Sequence, residues 1–255
     1  MRYFFSPHDA RLLNLYEALP VAAELGMGIE IPFDLIEIVP ELGDAERLRA
    51  EGKRLGVPFT VHLPFIDWNL ASVLPKAHRA ALERTLDGLA FAEAVGAEVA
   101  VLHTGTVPLR YPLLLERAWE RLEEGLSALP KGGVPVAIEN LALDERDLLQ
   151  GPDDLARLLD AFPHLGFCLD FAHAFLEGGA ERVRAYLDRL GDRLIHIHLN
   201  DTAGDADRHL PVGAGRIPYA ELKPLKLPET LTFEVQGSKE ALAASRARLE
   251  SAWDI

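Results

Sequence analysis

Short apolar runs alternate along the chain with longer segments whose apolar residues recur at helical spacing. The runs fall near 2–5, 28–33, 59–63, 98–103, 134–139, 165–170, 194–199 and 231–235. Their length and β-branched content mark them as buried strands. The helical period is clearest at 76–95, where Ala80, Leu82, Leu86, Leu89, Ala90 and Val95 recur. Further helices are predicted at 45–55, 111–129, 153–161, 180–190 and 238–250, with Gly96, Gly133 and Gly191 where helices should end. Strand followed by helix, repeated eight times in 255 residues, predicts parallel pairing through right-handed crossovers. That is the arithmetic of an α/β (β/α)8 barrel. A doubly wound sheet usually carries a glycine-rich phosphate turn after its first strand; here Ser6, Pro7, His8 and Asp9 follow instead. No Gly/Ser linker or shift of composition divides the chain, so one domain is expected over residues 1–255.

The polar residues that interrupt this pattern share one address. FTVHLP, EVAVLHTG, PVAIEN, LGFCLD, LIHIHLND and LTFEVQG place His62, His103, Glu139, Asp170, His198 and Glu234 where a strand meets its loop, and His173 follows Asp170 by one turn. In a parallel barrel all of them converge on one mouth. Singly, each has a plain structural explanation. His62 reads as a rim histidine, Glu139 as half of an ion pair, and Asp170 as a helix N-cap followed by a surface histidine. At the same end of six strands those explanations fail together, because a cation is what lets Glu139, Asp170 and Glu234 lie close without one of them holding a proton. His196, one layer below His198, is expected to be structural. The segment 196–216 is the densest, with Asp201, then Asp207-Arg208-His209, then Gly213 and Gly215. Asp207 and His209 are two apart and suit one ion, and the glycines would let the loop turn close to a ligand.

Composition narrows the chemistry. Cys168 is the single cysteine, so thiolate cages are excluded and any metal is held by nitrogen and oxygen, which suits zinc, manganese or iron(II). The formal net charge of -14, without a dense basic patch, opposes binding to a phosphate backbone. No apolar stretch reaches the ~18 residues that span a bilayer, and the N-terminus lacks the pattern of a signal peptide; a cytoplasmic location is the expectation.

The order His62, His103, Glu139, Asp170-x-x-His173, His198-x-x-Asp201, Asp207-Arg-His209, Glu234 resembles the xylose isomerase-like TIM-barrel superfamily, which includes endonuclease IV and sugar isomerases and epimerases. The resemblance runs from the third strand to the eighth; CLDFAHAF and HLND…DRH…GAG are its most specific pieces. The endonuclease IV pattern implies a trinuclear zinc site on His62, His103, Glu139, Asp170, His173, His198, Asp207, His209 and Glu234. The isomerase pattern implies one ion on Glu139, Asp170, His198 and Glu234. In it Glu139 and Glu234 are catalytic, moving protons beside the substrate carbonyl, and His173 and Arg208 contact substrate hydroxyls. One to three divalent ions per chain are therefore expected. Isomerisation or epimerisation of a small, sugar-like substrate ranks first, since the acidic chain suits it better than DNA. Trp68, Phe65 and Phe171 would wall its pocket; barrel isomerases often pair, so the resemblance is compatible with a homodimer, although the sequence itself does not show the oligomeric state. Phosphodiester cleavage at abasic sites is the alternative, with Phe65 and Ile66 where endonuclease IV places its DNA wedge. The acidic, apolar IPFDLIEIVPEL after the second strand opposes it.

Overall fold

The computed structural model describes residues 1–7, 9–141 and 144–255; His8, named above among the residues that follow the first apolar run, lies outside them. Eight parallel strands close into a barrel in sequence order: β1 (Arg2–Phe5), β2 (Gly28–Pro32), β3 (Phe59–His62), β4 (Ala100–Leu102), β5 (Val136–Glu139), β6 (Gly166–Asp170), β7 (Leu194–Leu199) and β8 (Thr230–Phe233). Around them lie α1 (Leu15–Leu25), α2 (Phe33–Ile38), α3 (Ala45–Leu55), α4 (Pro75–Val95), α5 (Pro112–Ser127), α6 (Pro152–Ala161), α7 (Phe171–Leu190) and α8 (Lys239–Trp253). Among the described residues no helix is long and apolar enough to cross a membrane.

Two helices lie outside the segments that periodicity marks. α1 carries Pro20 in its interior and starts from the Asn14 side chain, which accepts the Tyr16 N–H. α2 has only six residues, too short for a period to show. The segment 180–190 is the second half of α7; Gly178 and Gly179 leave helical geometry and break it there. Gly96 ends α4 in the left-handed region. Gly133 does not end α5, which stops at Ser127; its φ of 86° serves a later turn, where a Cβ would meet Glu93 Oε1 at 2.1 Å. Gly191 is right-handed and opens a short 3-10 turn.

Side chains alternate across each strand. One set, including Ile29, Ile31, Ile138, Leu169, Ile197, Leu231 and Phe233, joins the main core. The other set turns into the barrel. It is polar on β7 and β8, with His196, His198, Thr230 and Thr232 buried. On β4, β5 and β6 it also contains apolar residues, since Val101, Ala137 and Cys168 form a small separate cluster. Register brings the mouth together: Asp170 lies beside His198, His198 beside Thr232, and Glu139 beside Cys168.

Candidate metal centre

The strand ends surround a cavity of about 130 Å³ lined by Ser6, Pro32, His62, Phe65, His103, Glu139, His173, Asp207, His209 and Glu234. Glu139 is its hub. Its Oε2 lies 3.4 Å from His62 Nε2 and 3.1 Å from His103 Nε2. Its Oε1 lies 3.3 Å from both His198 Nδ1 and His173 Nδ1. Glu234 Oε2 approaches the same His198 Nδ1 at 3.4 Å. On the other side, Asp207 Oδ2 lies 3.3 Å from His173 Nε2 and 3.1 Å from His209 Nε2. His62, His103 and Glu139 form one group of mutually close donor atoms; Glu139 and Glu234 about His198 Nδ1 make a second, linked through that nitrogen, and His173 and His209 about Asp207 Oδ2 a third, linked through that oxygen. Asp170 sits beside the second, fully buried; one oxygen accepts the His173 N–H at 2.6 Å and the other accepts from Asn200 Nδ2 at 3.0 Å. It caps α7 and remains within reach of Glu139 and His173.

The imidazoles are oriented from behind. His62 Nδ1 donates to the Leu63 carbonyl at 3.0 Å and His173 Nδ1 to the Asn140 carbonyl at 2.9 Å. A carbonyl oxygen only accepts, so the proton is on Nδ1 and Nε2 faces the cavity. His209 Nδ1 is held in the same way by Asp9 Oδ1 at 2.9 Å. Histidines that bind metals are fixed in this manner, with the far nitrogen donating to a carbonyl or carboxylate.

Electrostatics agree with a cation site. Burial alone would raise Glu139, but the rings of His198 and His103 hold its carboxyl well below the usual range. Burial raises Asp170 despite its contact with His173. Burial, with Glu139 and Asp9 nearby, pushes Glu234 up to about 7 although His198 and His209 oppose it. Burial disfavours a charged His209, yet Asp207 and Asp9 raise it to about 11. His103 is lowered by burial, more than Glu139 can restore. The protein alone thus balances its carboxylates with protonated imidazoles. Neither buried ring nitrogen of His198 makes a hydrogen bond of good geometry among the described residues; both have only carboxylate oxygens at ion-pair distance. A nitrogen and oxygen donor set around such an atom fits a divalent transition ion. Burial pushes the Cys168 thiol far up, disfavouring the thiolate.

The remaining sequence candidates fall in different places. Phe65 lines the cavity, its ring centroid 4.6 Å from His62 and 5.3 Å from His103. Trp68 lies outside it, in a hollow with Asp34, Glu37, Ile38, Ile66 and Asp67. Arg208 also lies outside, its guanidinium paired with Asp205 at 3.0 and 2.6 Å. Phe171 is fully buried and stacked on Tyr219. Asp201 organises the loop that carries Asp207 and His209, accepting the N–H groups of Thr202, Gly213 and Ile217. The glycines turn around that carboxylate rather than a ligand: a Cβ on Gly215 would meet Asp201 Oδ1 at 2.3 Å. His196 is committed to Thr230, Thr232 and Glu30. Two participants were not singled out by sequence, Asp9 behind His209 and Glu30 behind His198. The signal for Glu30 was a lone carboxylate between isoleucines in GIEIP.

A family model described as xylose isomerase-like TIM barrel matches residues 19–251. A probable endonuclease 4 of Mycobacterium ulcerans (strain Agy99) is 31% identical over 254 residues, covering 91% of this chain and 96% of that protein. A D-tagatose 3-epimerase-like protein superposes with a TM-score of 0.83 over 100% of this chain and 97% of its own; at 24% identity that likeness is one of fold. A protein from Thermus thermophilus, in a structure soaked with ZnCl2, is 30% identical, with a TM-score of 0.71 and 96% of each chain covered. With most of its length matched by the family model, the chain belongs to the xylose isomerase-like TIM barrel family.

Proposed function

We propose that the chain is a metal-dependent hydrolase of a sugar phosphodiester, working with up to three divalent ions on His62, His103, Glu139, Asp170, His173, His198, Asp207, His209 and Glu234. The observation that carries this is the third donor group. His173 and His209 both turn Nε2 onto Asp207, and one-ion proton transfer has no need of such a group. The similarity to a probable endonuclease 4 and to a protein from a zinc-soaked structure supports it. Bound ions would supply positive charge to a phosphate and ease deprotonation of a water.

The chain's own residues do the rest. Glu139, with an oxygen toward each of the first two groups, keeps them in fixed relation. Glu234 lines the cavity and approaches His198 Nδ1, where it would complete the second donor group. Phe65 covers His62 and His103 and limits access of solvent. Asp34 Oδ2 accepts the N–H groups of Phe65 and Ile66 at 2.8 and 3.0 Å and so fixes that wall.

One observation favours a second function, epimerisation or isomerisation of a small sugar on a single inner ion. Glu139 and Glu234 both approach His198 Nδ1 and both line the cavity, an arrangement that suits proton removal and return. An Asp207→Ala/His209→Ala double variant, assayed with zinc or manganese, separates the two. Cleavage of an abasic duplex or of bis-p-nitrophenyl phosphate by the wild type, lost in the variant, is expected. Epimerisation of a ketose that survives in the variant, with no ester cleavage by the wild type, would establish the second function instead.

A further inference from the structure

One layer beneath the mouth, Glu30 is a buried carboxylate in the middle of β2, with no counterion from lysine or arginine among its contacts. Its Oε2 accepts from Thr60 Oγ1 at 2.9 Å, from Thr232 Oγ1 at 3.0 Å and from His196 Nε2 at 3.1 Å. Its Oε1 makes no hydrogen bond of good angle among the described residues and lies in ion-pair contact with His198 Nε2 at 3.0 Å. The opposite nitrogen of that ring, Nδ1, is the one that faces Glu139 and Glu234. His198 is thus turned the other way from His62, His173 and His209, whose Nδ1 atoms face carbonyl or carboxylate oxygens and whose Nε2 atoms face the cavity.

We propose that Glu30 is a positioning residue that fixes His198 with its proton on Nε2, so that the Nδ1 lone pair is the donor offered to the inner metal ion. The proposal rests on the metal-site assignment above. An ionised carboxylate only accepts, so an unprotonated Nε2 would set lone pair against lone pair at 3.0 Å. The other tautomer would also aim an N–H at the place where a cation must sit. Thr60, Thr232 and His196 saturate Oε2 and hold the carboxyl group in one rotamer. The carboxylate also places a full negative charge behind the ring, which strengthens Nδ1 as a donor. Three hydrogen bonds to Oε2 and the His198 ring beside Oε1 offset the cost of burying this charge.

The test is metal binding rather than turnover. Glu30→Gln keeps the size of the side chain and removes its charge; Glu30→Met removes the acceptor as well. Zinc affinities are measured by chelator competition, and the ligating nitrogen of each histidine by ¹⁵N NMR of the zinc-loaded protein. In the wild type, His198 is expected to bind through Nδ1, while His62, His173 and His209 bind through Nε2. The Gln variant is expected to lose about 10–100-fold in affinity for the inner ion alone, leaving the ion on His173, Asp207 and His209 unchanged. A fold-wide loss would lower both sites, so the difference between them reports positioning. Wild-type affinity at the inner site in both variants, with His198 still ligating through Nδ1, would overturn the role of Glu30. A wild type that takes up no zinc would overturn the metal assignment together with it.

Discussion

At the scale of single residues, the mouth gathers carboxylates and imidazoles around Glu139. Glu139→Gln removes the hub shared by the first two donor groups, and turnover is expected to fall by about 10³-fold or more while the circular dichroism spectrum is kept. Full activity in this variant would remove Glu139 from the mechanism. Protons answer a second test. In the metal-free chain His209 is raised to about 11, above its unfolded value of about 6.5. Its stabilising contribution is therefore complete below about 6.5 and is lost as pH rises through about 11. A metal ion that takes Nε2 must displace that proton. Zinc binding is expected to release protons at neutral pH and to tighten as pH rises; calorimetry in buffers of different ionisation enthalpy measures the number released, and zero would contradict the assignment. The convergence of His62, His103, Glu139, Asp170, His198 and Glu234 was legible because each stands at a strand end, and that of Asp207 and His209 because residues two apart in an extended segment point the same way. Trp68 sits on a loop and turns toward a neighbouring hollow, while Arg208 points away from its neighbours Asp207 and His209 and pairs with Asp205.

At the scale of elements, the loop after β7 decides whether the third donor group exists. Asp201 is buried and gathers three backbone N–H groups from 202 to 217. Asp201→Ala leaves those donors without their acceptor and is expected to cost about 1–3 kcal/mol in urea unfolding. It should also loosen the loop that carries Asp207 and His209, so the outer ion is expected to be lost before the inner one. Retention of full metal content by this variant would separate the loop from the site. The strands were legible from their apolar runs to within two residues at each end. α1 was hidden by Pro20 and α2 by its brevity, and both lie where loop and helix chemistry compete within a few residues.

At the scale of the whole molecule, a net charge of -14 sets which partners approach easily. Any nicking of duplex DNA is expected to be confined to low ionic strength and to fall steeply as salt rises, whereas hydrolysis of a small ester should change little over the same range. An equal response of the two substrates would show that the charge is not what limits DNA access. The barrel itself followed from eight apolar runs interleaved with helical segments, but the polar layer beneath the mouth did not, because strand-end logic looks only at the rim. That layer has a consequence for how the chain finds its register. Glu30, Thr60, His196 and Thr232 come from β2, β3, β7 and β8, and they meet only when these strands pair as they do here. A one-residue slip of β2 would turn Glu30 outward among the isoleucines and helices, burying a carboxylate without partners at a cost of several kcal/mol. A barrel closed in the wrong register is thus rejected during folding by the same carboxylate that stands behind His198.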